Sequence, residues 1–442
     1  MASNWRTVRL GDLVTVKHGW PFKSDRYSHD LTGRPIVVSI GNFDYSGGFR
    51  FDSTVAKEYR GDYPAEYNLI AGDILLVMTC QTAGGEILGL PGRIPNDGRK
   101  YLHNQRLGKV VVKSRDVNDR FLYWLFLWSE FNRELVNSAS GTKIVHTAPA
   151  RIEAFEFRLP PLHEQAAIAA SLDALDHKIE LNRKMSATLE AMARALFKSW
   201  FVDFDPVRVK AEGRDPGLPP DIAVLFPDSF EDSELGPIPH GWALKQIADI
   251  AFVSREAVNP LDFPEEIFEH YSIPAFDSTG GAILERGISI RSNKFLVSHR
   301  AVLLSRLNPR TPRIVIPLAQ GHHRAICSTE FAVMIARAYS REWLYCLFSN
   351  EQFCDKFATM VTGTSGSHQR VKSESLLAMH TVAPSEPIVA AFTDMSASML
   401  GRIASARSES VTLSKIRDAL LPKLISGEIR VADAERVLEK SA

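Results

Sequence analysis

The two halves of this 442-residue chain repeat one another, and the repeat limits the possible architecture more than any single motif does. Adding 222 to the numbering carries Leu122, Tyr123, Leu125, Phe126 and Phe131 onto Leu344, Tyr345, Leu347, Phe348 and Phe353. The same step carries Gly141, Thr142 and His146 onto Gly363, Thr364 and His368. A step of 224 carries Ile179, Arg183, Ser186, Leu189, Ala195 and Leu196 onto Ile403, Arg407, Ser410, Leu413, Ala419 and Leu420. At the start of each half, Trp5, Leu10, Asp12 and Leu13 lie 237 residues before Trp242, Ile247, Asp249 and Ile250. Offsets that drift only by short insertions mean two copies of one module. A shared frame with two divergent interiors suits one kind of task performed on two different targets.

Each half is long enough to bury its own core, and 45% hydrophobic with 24% charged residues is ordinary for a globular chain. The first residues lack the apolar stretch of a signal peptide, and the longest apolar run, Phe121 to Trp128, is too short to span a bilayer, so no membrane role is expected. Cys80, Cys327, Cys346 and Cys354 form no paired framework and no C-x-x-C, which points to a reducing, cytoplasmic setting. Net charge is zero, which argues against a protein that merely coats nucleic acid. Its distribution is uneven: +4 over residues 1–160, −6 over 161–235 and +2 over 236–383.

Short β-rich runs with Gly turns fill the region before residue 160, followed by a change at Leu159-Pro160-Pro161-Leu162. From His163 to Val202 there is no Gly or Pro, and core-type positions recur in steps of four and three: Ile168, Leu172, Leu175, Ile179, Asn182, Ser186, Leu189, Ala193, Leu196 and Trp200. That pattern predicts a coiled-coil helix of about 40 residues, roughly 60 Å long. The second copy offers Phe392, Ser396, Met399, Ile403, Ala406, Ser410, Leu413, Arg417, Leu420 and Leu424, with Gly401 inside. Each apolar stripe needs a partner, and antiparallel pairing of the two copies supplies one. Asn182 either fixes the register of that pair or is a tolerated polar residue. Between the helix and the second module, residues 205–239 are rich in Pro and acid and read as a linker with some packed turns.

Two basic stretches are candidate polyanion contacts, since a polyanion rewards local cationic density. Arg93 to Arg115 holds seven basic residues and one acid, and Arg286 to Arg324 holds eight and none. The plainer alternative is that Arg and Lys alternate on solvated strand faces. Reading DNA needs phosphate grips and base-edge forks of Arg, Lys, Asn or Gln. The candidates are Arg93, Asn96, Arg99, Lys100, Asn104, Gln105 and Arg106 in the first copy, and Arg306, Asn308, Arg310, Arg313, His322, His323 and Arg324 in the second. The Gly-Thr-x-x-x-His loops either face a phosphate or form the turn before the strand Phe155 to Leu159 and its counterpart. Trp5 and Trp242, being repeated, are expected to anchor cores. His322-His323 has no carboxylate or Cys near it in sequence, so no metal site is expected.

Five blocks together resemble the specificity subunit of a type I restriction-modification system. They are Trp5-x-x-Val8-x-Leu10-Gly11-Asp12-Leu13, Gly72-Asp73-Ile74-Leu75-Leu76, Leu159-Pro160-Pro161-Leu162-x-Glu164-Gln165, Leu196-Phe197-Lys198-Ser199-Trp200-Phe201-Val202-Asp203-Phe204, and Leu420-Leu421-Pro422-Lys423-Leu424-Ile425-Ser426-Gly427-Glu428-Ile429. The resemblance implies an α+β chain in which two pseudo-symmetric α/β target-recognition domains are separated by two long helices packed as an antiparallel coiled coil. Its expected parts are a first recognition domain (1–160), a central helix (161–203), a Pro/acid-rich linker (204–240), a second recognition domain (241–384), a C-terminal helix (385–427) and a tail (428–442). Each domain would read half of a split sequence in double-stranded DNA. The helices, through Ile168, Leu172, Leu175, Ile179, Leu189, Leu196, Met399, Ile403, Leu413 and Leu420, would set the spacing and dock two methyltransferase subunits. A restriction/translocase subunit is a further implied partner. The second copy departs from the pattern, with Ala383-Pro384-Ser385-Glu386-Pro387 heading its helix.

No Asp/Asn-Pro-Pro-Tyr/Phe methyltransferase motif and no G-x-x-x-x-G-K-[ST] loop is present, so the chain is expected to be non-catalytic and without a cofactor of its own. S-adenosylmethionine, ATP and Mg²⁺ are then implied for the partners. Three other readings stay open: service to a fused type IIB-like methyltransferase-nuclease, a coiled-coil scaffold that never touches DNA, and a self-sufficient DNA enzyme.

Overall fold

In the computed structural model of the chain, residues 5–44, 47–317, 323–362 and 369–433 are described. Two compact units are present, one formed by Met1–Glu180 with Ser410–Ala442 and the other by Leu181–Glu409. The boundary cuts both long helices near their middles, because each half-helix packs on the module of its own unit instead of forming a separate layer.

The first module carries four sheets, one of them the short pair of Thr79–Cys80 with Val145–His146. Arg6–Arg9 pairs antiparallel with Glu156–Leu159. A four-stranded sheet runs Val14–His18, Leu107–Val112, Ile74–Val77, Pro91–Arg93, and in a five-stranded sheet Tyr101–Leu102 lies parallel to the central strand Ile36–Val37 and antiparallel to the edge strand Asn68–Leu69. The second module repeats the terminal strand pair and the four-stranded sheet register for register, while its five-stranded sheet orders the outer strands differently. Arg6↔Leu159 becomes Ala243↔Ala383, and Val14↔Val112 becomes Ala251↔Ala336. Val110↔Ile74 becomes Met334↔Val302, and Leu75↔Gly92 becomes Leu303↔Val315. Arg324–Cys327 again lies parallel to one neighbour, Ile267–Tyr271, and antiparallel to the other, Lys294–Leu296. A one-residue slip would turn every inward side chain outward, so matching registers mean matching frames. The helices follow suit: Asp119–Phe126 and Ser129–Asn137 correspond to Arg341–Phe348 and Glu351–Thr359. Asn118 caps the first by accepting from the Arg120 and Phe121 amides, and Ser340 caps its counterpart by accepting from Trp343. The repeated Leu122, Phe126 and Phe131, with Leu344, Phe348 and Phe353, are core residues, as are Trp5 and Trp242.

The long helices span Leu162–Phe201 and Glu386–Ser426. In the first unit they run antiparallel, with Arg417 bonded to Asp176 at 2.7 Å and Arg430, just past the helix end, paired with Glu164. Ile168, Leu172 and Leu175 share one core with Leu420, Leu421, Leu424 and Ile425. In the second unit Phe197 and Phe201 meet Phe392 at ring distances of 5.8 and 5.3 Å, and Ala193 shares a core with Ile388 and Val389. None of the seam positions read from the spacing is exposed: Ile179, Leu189, Leu196, Met399 and Leu413 are half-buried and Ile403 is buried, whereas Gly401 faces solvent off the seam. Buried Asn182 donates to Glu409 at 2.7 Å, a polar pair that an apolar slip would break.

Three local features differ from the reading of the sequence or explain it. In the Pro-rich stretch at 204–240, Phe204, Val207, Phe226 and Ile238 are buried, and Lys210 Nζ donates to the Ala223 carbonyl at 3.0 Å. Apolar side chains set between the prolines give it a core to join. The start of the tail also packs, through Ile429 and Val431. At the head of the first long helix, fully buried Gln165 accepts from the Asn118 amide at 2.8 Å and donates to the Asp116 and Pro160 carbonyls. The second copy has Val389 in that place, and Tyr339 Oη donates to the equivalent Pro384 carbonyl at 2.7 Å instead. The departure from Leu-Pro-Pro-Leu-x-Glu-Gln is thus a change of donor with the buried acceptor still satisfied.

Candidate nucleic-acid interface

At one end of each four-stranded sheet a turn, a strand end and a loop neck meet. In the first module the Met78 amide donates to the Arg106 carbonyl at 3.0 Å, and the Thr147 amide donates to the Met78 carbonyl at 3.0 Å. In the second, Arg306 donates to Glu330 at 2.8 Å and Val371 donates to Arg306 at 3.0 Å. These are the same two bonds in the repeated frame. The loop necks match as well: Ser140 and His146 exchange backbone bonds of 3.0 and 2.8 Å, and Thr362 donates to Arg370 at 2.9 Å. His146 lies opposite Thr79, as Arg370 lies opposite Leu307. The frame is invariant here while the exposed side chains differ, which is what two readers of different sequences need.

The Gly-Thr-Lys-Ile-Val-His segment is a hairpin loop exposing Gly141, Thr142, Lys143 and Ile144. Gly141 has φ +105°, and a Cβ there would lie 2.0 Å from the Ile144 carbonyl oxygen, so only glycine fits. A short helix, Pro149–Glu153, separates the loop from the strand Glu156–Leu159, so it is not the turn directly before that strand. Its counterpart, Gly363 to His368, lies outside the described residues.

Of the candidates read from sequence, the junction gathers only some. Asn104, Gln105 and Arg106 form its turn, where Leu107 donates to Asn104 and Gln105 donates to the Trp20 carbonyl, and the Gln105 and Arg106 side chains are exposed. Arg93 sits at the opposite sheet end, beside Ile74, with its guanidinium 3.2 Å from Asp119 and over the Tyr123 ring. Arg99 is held by Asp97 at 2.6 Å and stacks on Phe51, whereas Asn96 and Lys100 are exposed beside it. In the second module Arg306 belongs to the junction, but its guanidinium is spent on the Thr329 carbonyl at 2.6 Å and on Ser373. Asn308 holds a left-handed turn at φ 49°, with its amide donating to Gln369. Arg310 is exposed beside Cys354, Asp355 and Thr359. Arg313 forks onto Asp277 at 2.6 and 2.9 Å, and Arg324 forks onto Glu266 and stacks on Phe263. His323 is half-buried, and His322 lies outside the described residues. No group of His, Cys, Asp and Glu that could hold a metal ion occurs among the described residues.

The acid-free stretch from Arg286 to Arg324 is therefore not acid-free in space. Glu265, Glu266 and Asp277, from preceding elements, neutralise Arg286, Arg324 and Arg313. Arg291, Arg300 and Arg310 make no side-chain hydrogen bond or ion pair among the described residues. Nor do the two basic stretches occupy comparable places. Strand register equates Gly92 with Val315, so the stretches overlap only near the first one's start.

Sequence reading missed the aromatic neighbours of the first turn. Trp20 packs on Tyr67 at 5.2 Å, and Lys57 lies over Tyr27. Burial and Tyr59 push the Tyr27 hydroxyl up, and the Arg106 charge pulls against them. It also missed Arg370 and His103. Buried His103 donates from Nε2 to the Leu107 carbonyl at 2.9 Å, and burial holds its ring down at about 4 against an ordinary 6.5. The folded state thus keeps a neutral ring where the unfolded chain takes a proton. Stability is fully present above pH 6.5 and falls as pH drops toward 4, by roughly 3 kcal/mol. Urea titrations of the chain at several pH values should show that slope, and His103→Gln should flatten it; an equal slope in the variant would contradict the assignment. Cys327, the matching residue in the second copy, is buried too, its thiol pushed up to about 12.

The frame agrees with comparisons to known proteins. Residues 2–191 match the family described as Type I restriction modification DNA specificity domain. The Type I restriction enzyme HindI specificity subunit of Haemophilus influenzae is 23% identical over 483 residues, covering 97% of this chain and 100% of its own length. The MjaIX specificity subunit of Methanocaldococcus jannaschii is 24% identical over 344 residues, covering 75% of this chain and 73% of its own. The crystal structure of the type I restriction-modification S subunit from M. genitalium shares the fold, with a TM-score of 0.55, 13% identity and 96% of each chain covered. The first half of the chain thus matches the Type I restriction modification DNA specificity domain over residues 2–191, the whole chain is similar to type I specificity subunits, and the second half is built on the same strand registers as the first.

Proposed function

We propose that the chain is the DNA-reading subunit of a type I restriction-modification complex, each module recognising one half of a two-part sequence. The observation that carries this reading is the twice-built junction, where identical backbone bonds present different side chains: exposed Gln105, Arg106 and His146 in one module, exposed Thr329 and Arg370 with half-buried Glu330 in the other. The phosphate and base contacts would come from these and from the exposed Lys100, Lys143 and Arg310. The paired helices would set the gap between half-sites and dock two modification subunits. The chain itself would perform no chemistry: S-adenosylmethionine would act on the modification subunits, and ATP with Mg²⁺ on a restriction subunit, all in the cytoplasm. Among the described residues no helix is long and apolar enough to cross a membrane.

Mapping methylated bases across the genome of a cell expressing this chain with its modification subunits tests the reading. The expected result is one sequence in two specific parts around a fixed unspecified gap. Methylation at a single continuous sequence, or none from an assembled complex, would contradict it.

A further inference from the structure

The two junctions each hold an exposed guanidinium, but on opposite flanks of the same strand end. In the first module the turn supplies Arg106, whose side chain makes no hydrogen bond or ion pair among the described residues. The loop neck supplies His146, bonded through Nδ1 to Thr79 Oγ1 at 3.0 Å. In the second module the turn position is Glu330 and the neck position is Arg370. Arg370 Nη2 donates to Glu330 Oε1 at 2.5 Å, with the Arg370 side chain 53% and that of Glu330 23% exposed. The positive group has moved from one side of the strand end to the other, and the vacated position has become an acid that grips it. Two interstrand spacings, about 10 Å, separate the two backbone positions, and the Arg370 side chain reaches across part of that gap to Glu330. A guanidinium fork matches guanine O6 and N7 in the major groove better than any other base edge. An acid beneath the fork fixes its plane and lowers the entropy lost on binding.

We propose that Arg106 and Arg370 are the guanine-reading forks of their respective half-sites, with Glu330 a positioning residue that orients Arg370. The proposal rests on the DNA-reading function above and adds which side chains discriminate. Because the two side chains leave the shared frame from opposite flanks, each fork approaches its base edge from a different direction. The difference in specificity between the copies is then partly a relocation of one charge.

The test maps methylated sequences for the full chain assembled with its modification subunits, comparing wild type with Arg106→Gln, Arg370→Gln and Glu330→Gln. Arg106→Gln should lower the preference for guanine at one position of the first module's half-site from tenfold or more to below about threefold, leaving the other half unchanged. Arg370→Gln should do the reverse, and Glu330→Gln should weaken the same position as Arg370→Gln by a smaller factor. Arg106→Lys and Arg370→Lys keep the charge without the fork, so they should lose the preference too. Unaltered base preferences, or a uniform fall in methylation at all sequences with the lysine variants rescued, would overturn the base-reading role and leave phosphate grips. Unaltered preference in Glu330→Gln would overturn its positioning role. If the wild-type complex itself shows no two-part sequence, the proposed function fails along with this refinement of it.

Discussion

Replacing Trp200 by alanine will lower the stability of the second unit by about 3–5 kcal/mol. Trp200 is 1% exposed and meets Phe226 edge-on at 5.0 Å, with Phe201 and Phe392 near 6 Å. Around them Phe197 and Phe201 pack on Trp343, and Phe204 on Trp242, so helix end, linker and module share one aromatic core. Alanine removes the largest side chain from a site that rigid rings on three sides cannot collapse to fill, and a cavity term adds to the lost burial. Against a typical domain stability of 5–15 kcal/mol this is a severe loss. The matching place in the first unit is Leu424, among Leu420, Leu421 and Ile425, where Leu→Ala should cost less, about 3 kcal/mol. Urea denaturation followed by tryptophan fluorescence and circular dichroism measures both. A Trp200→Ala loss below about 1 kcal/mol would mean the aromatic cluster is not the core of that unit.

Much of the fold was legible because the repeat preserves the residues that set the frame. Trp5 and Trp242, the Leu-Tyr-x-Leu-Phe helices and most of both seams are apolar side chains at fixed spacing, and their burial follows from that pattern. The strands Ile74–Val77 and Ala301–Ser305 are also equivalent, yet nothing in the letters shows it. Any apolar run serves in a strand buried on both faces, so pairing records the relationship where sequence does not. The interface was legible only in part for a similar reason. The turn at Asn104, Gln105 and Arg106 advertises itself as amide and guanidinium groups in one short loop. Arg313 and Arg324 look equally available in sequence, but the acids that occupy them lie 36 and 58 residues away. Arg370 went unnoticed because its partner Glu330 is 40 residues distant and its flank was made basic only in the second copy.

If one reader was duplicated, its copies are interchangeable. The strands Arg6–Arg9 with Glu156–Leu159 and Ala243–Gln246 with His380–Ala383 pair in the same register, so residues 242–383 can be replaced by a copy of residues 5–159 without altering the flanking frame. The aromatic side chains of the second unit will meet a different module surface, so a lower melting temperature is expected, and a cooperative transition checks that the chimaera folds. With its modification subunits, the folded chimaera should methylate a sequence made of two copies of the first module's half-site, and the second module's half-site should vanish from the map. A folded, assembled chimaera that still methylates the original two-part sequence would contradict the claim that each module carries its own reading of DNA.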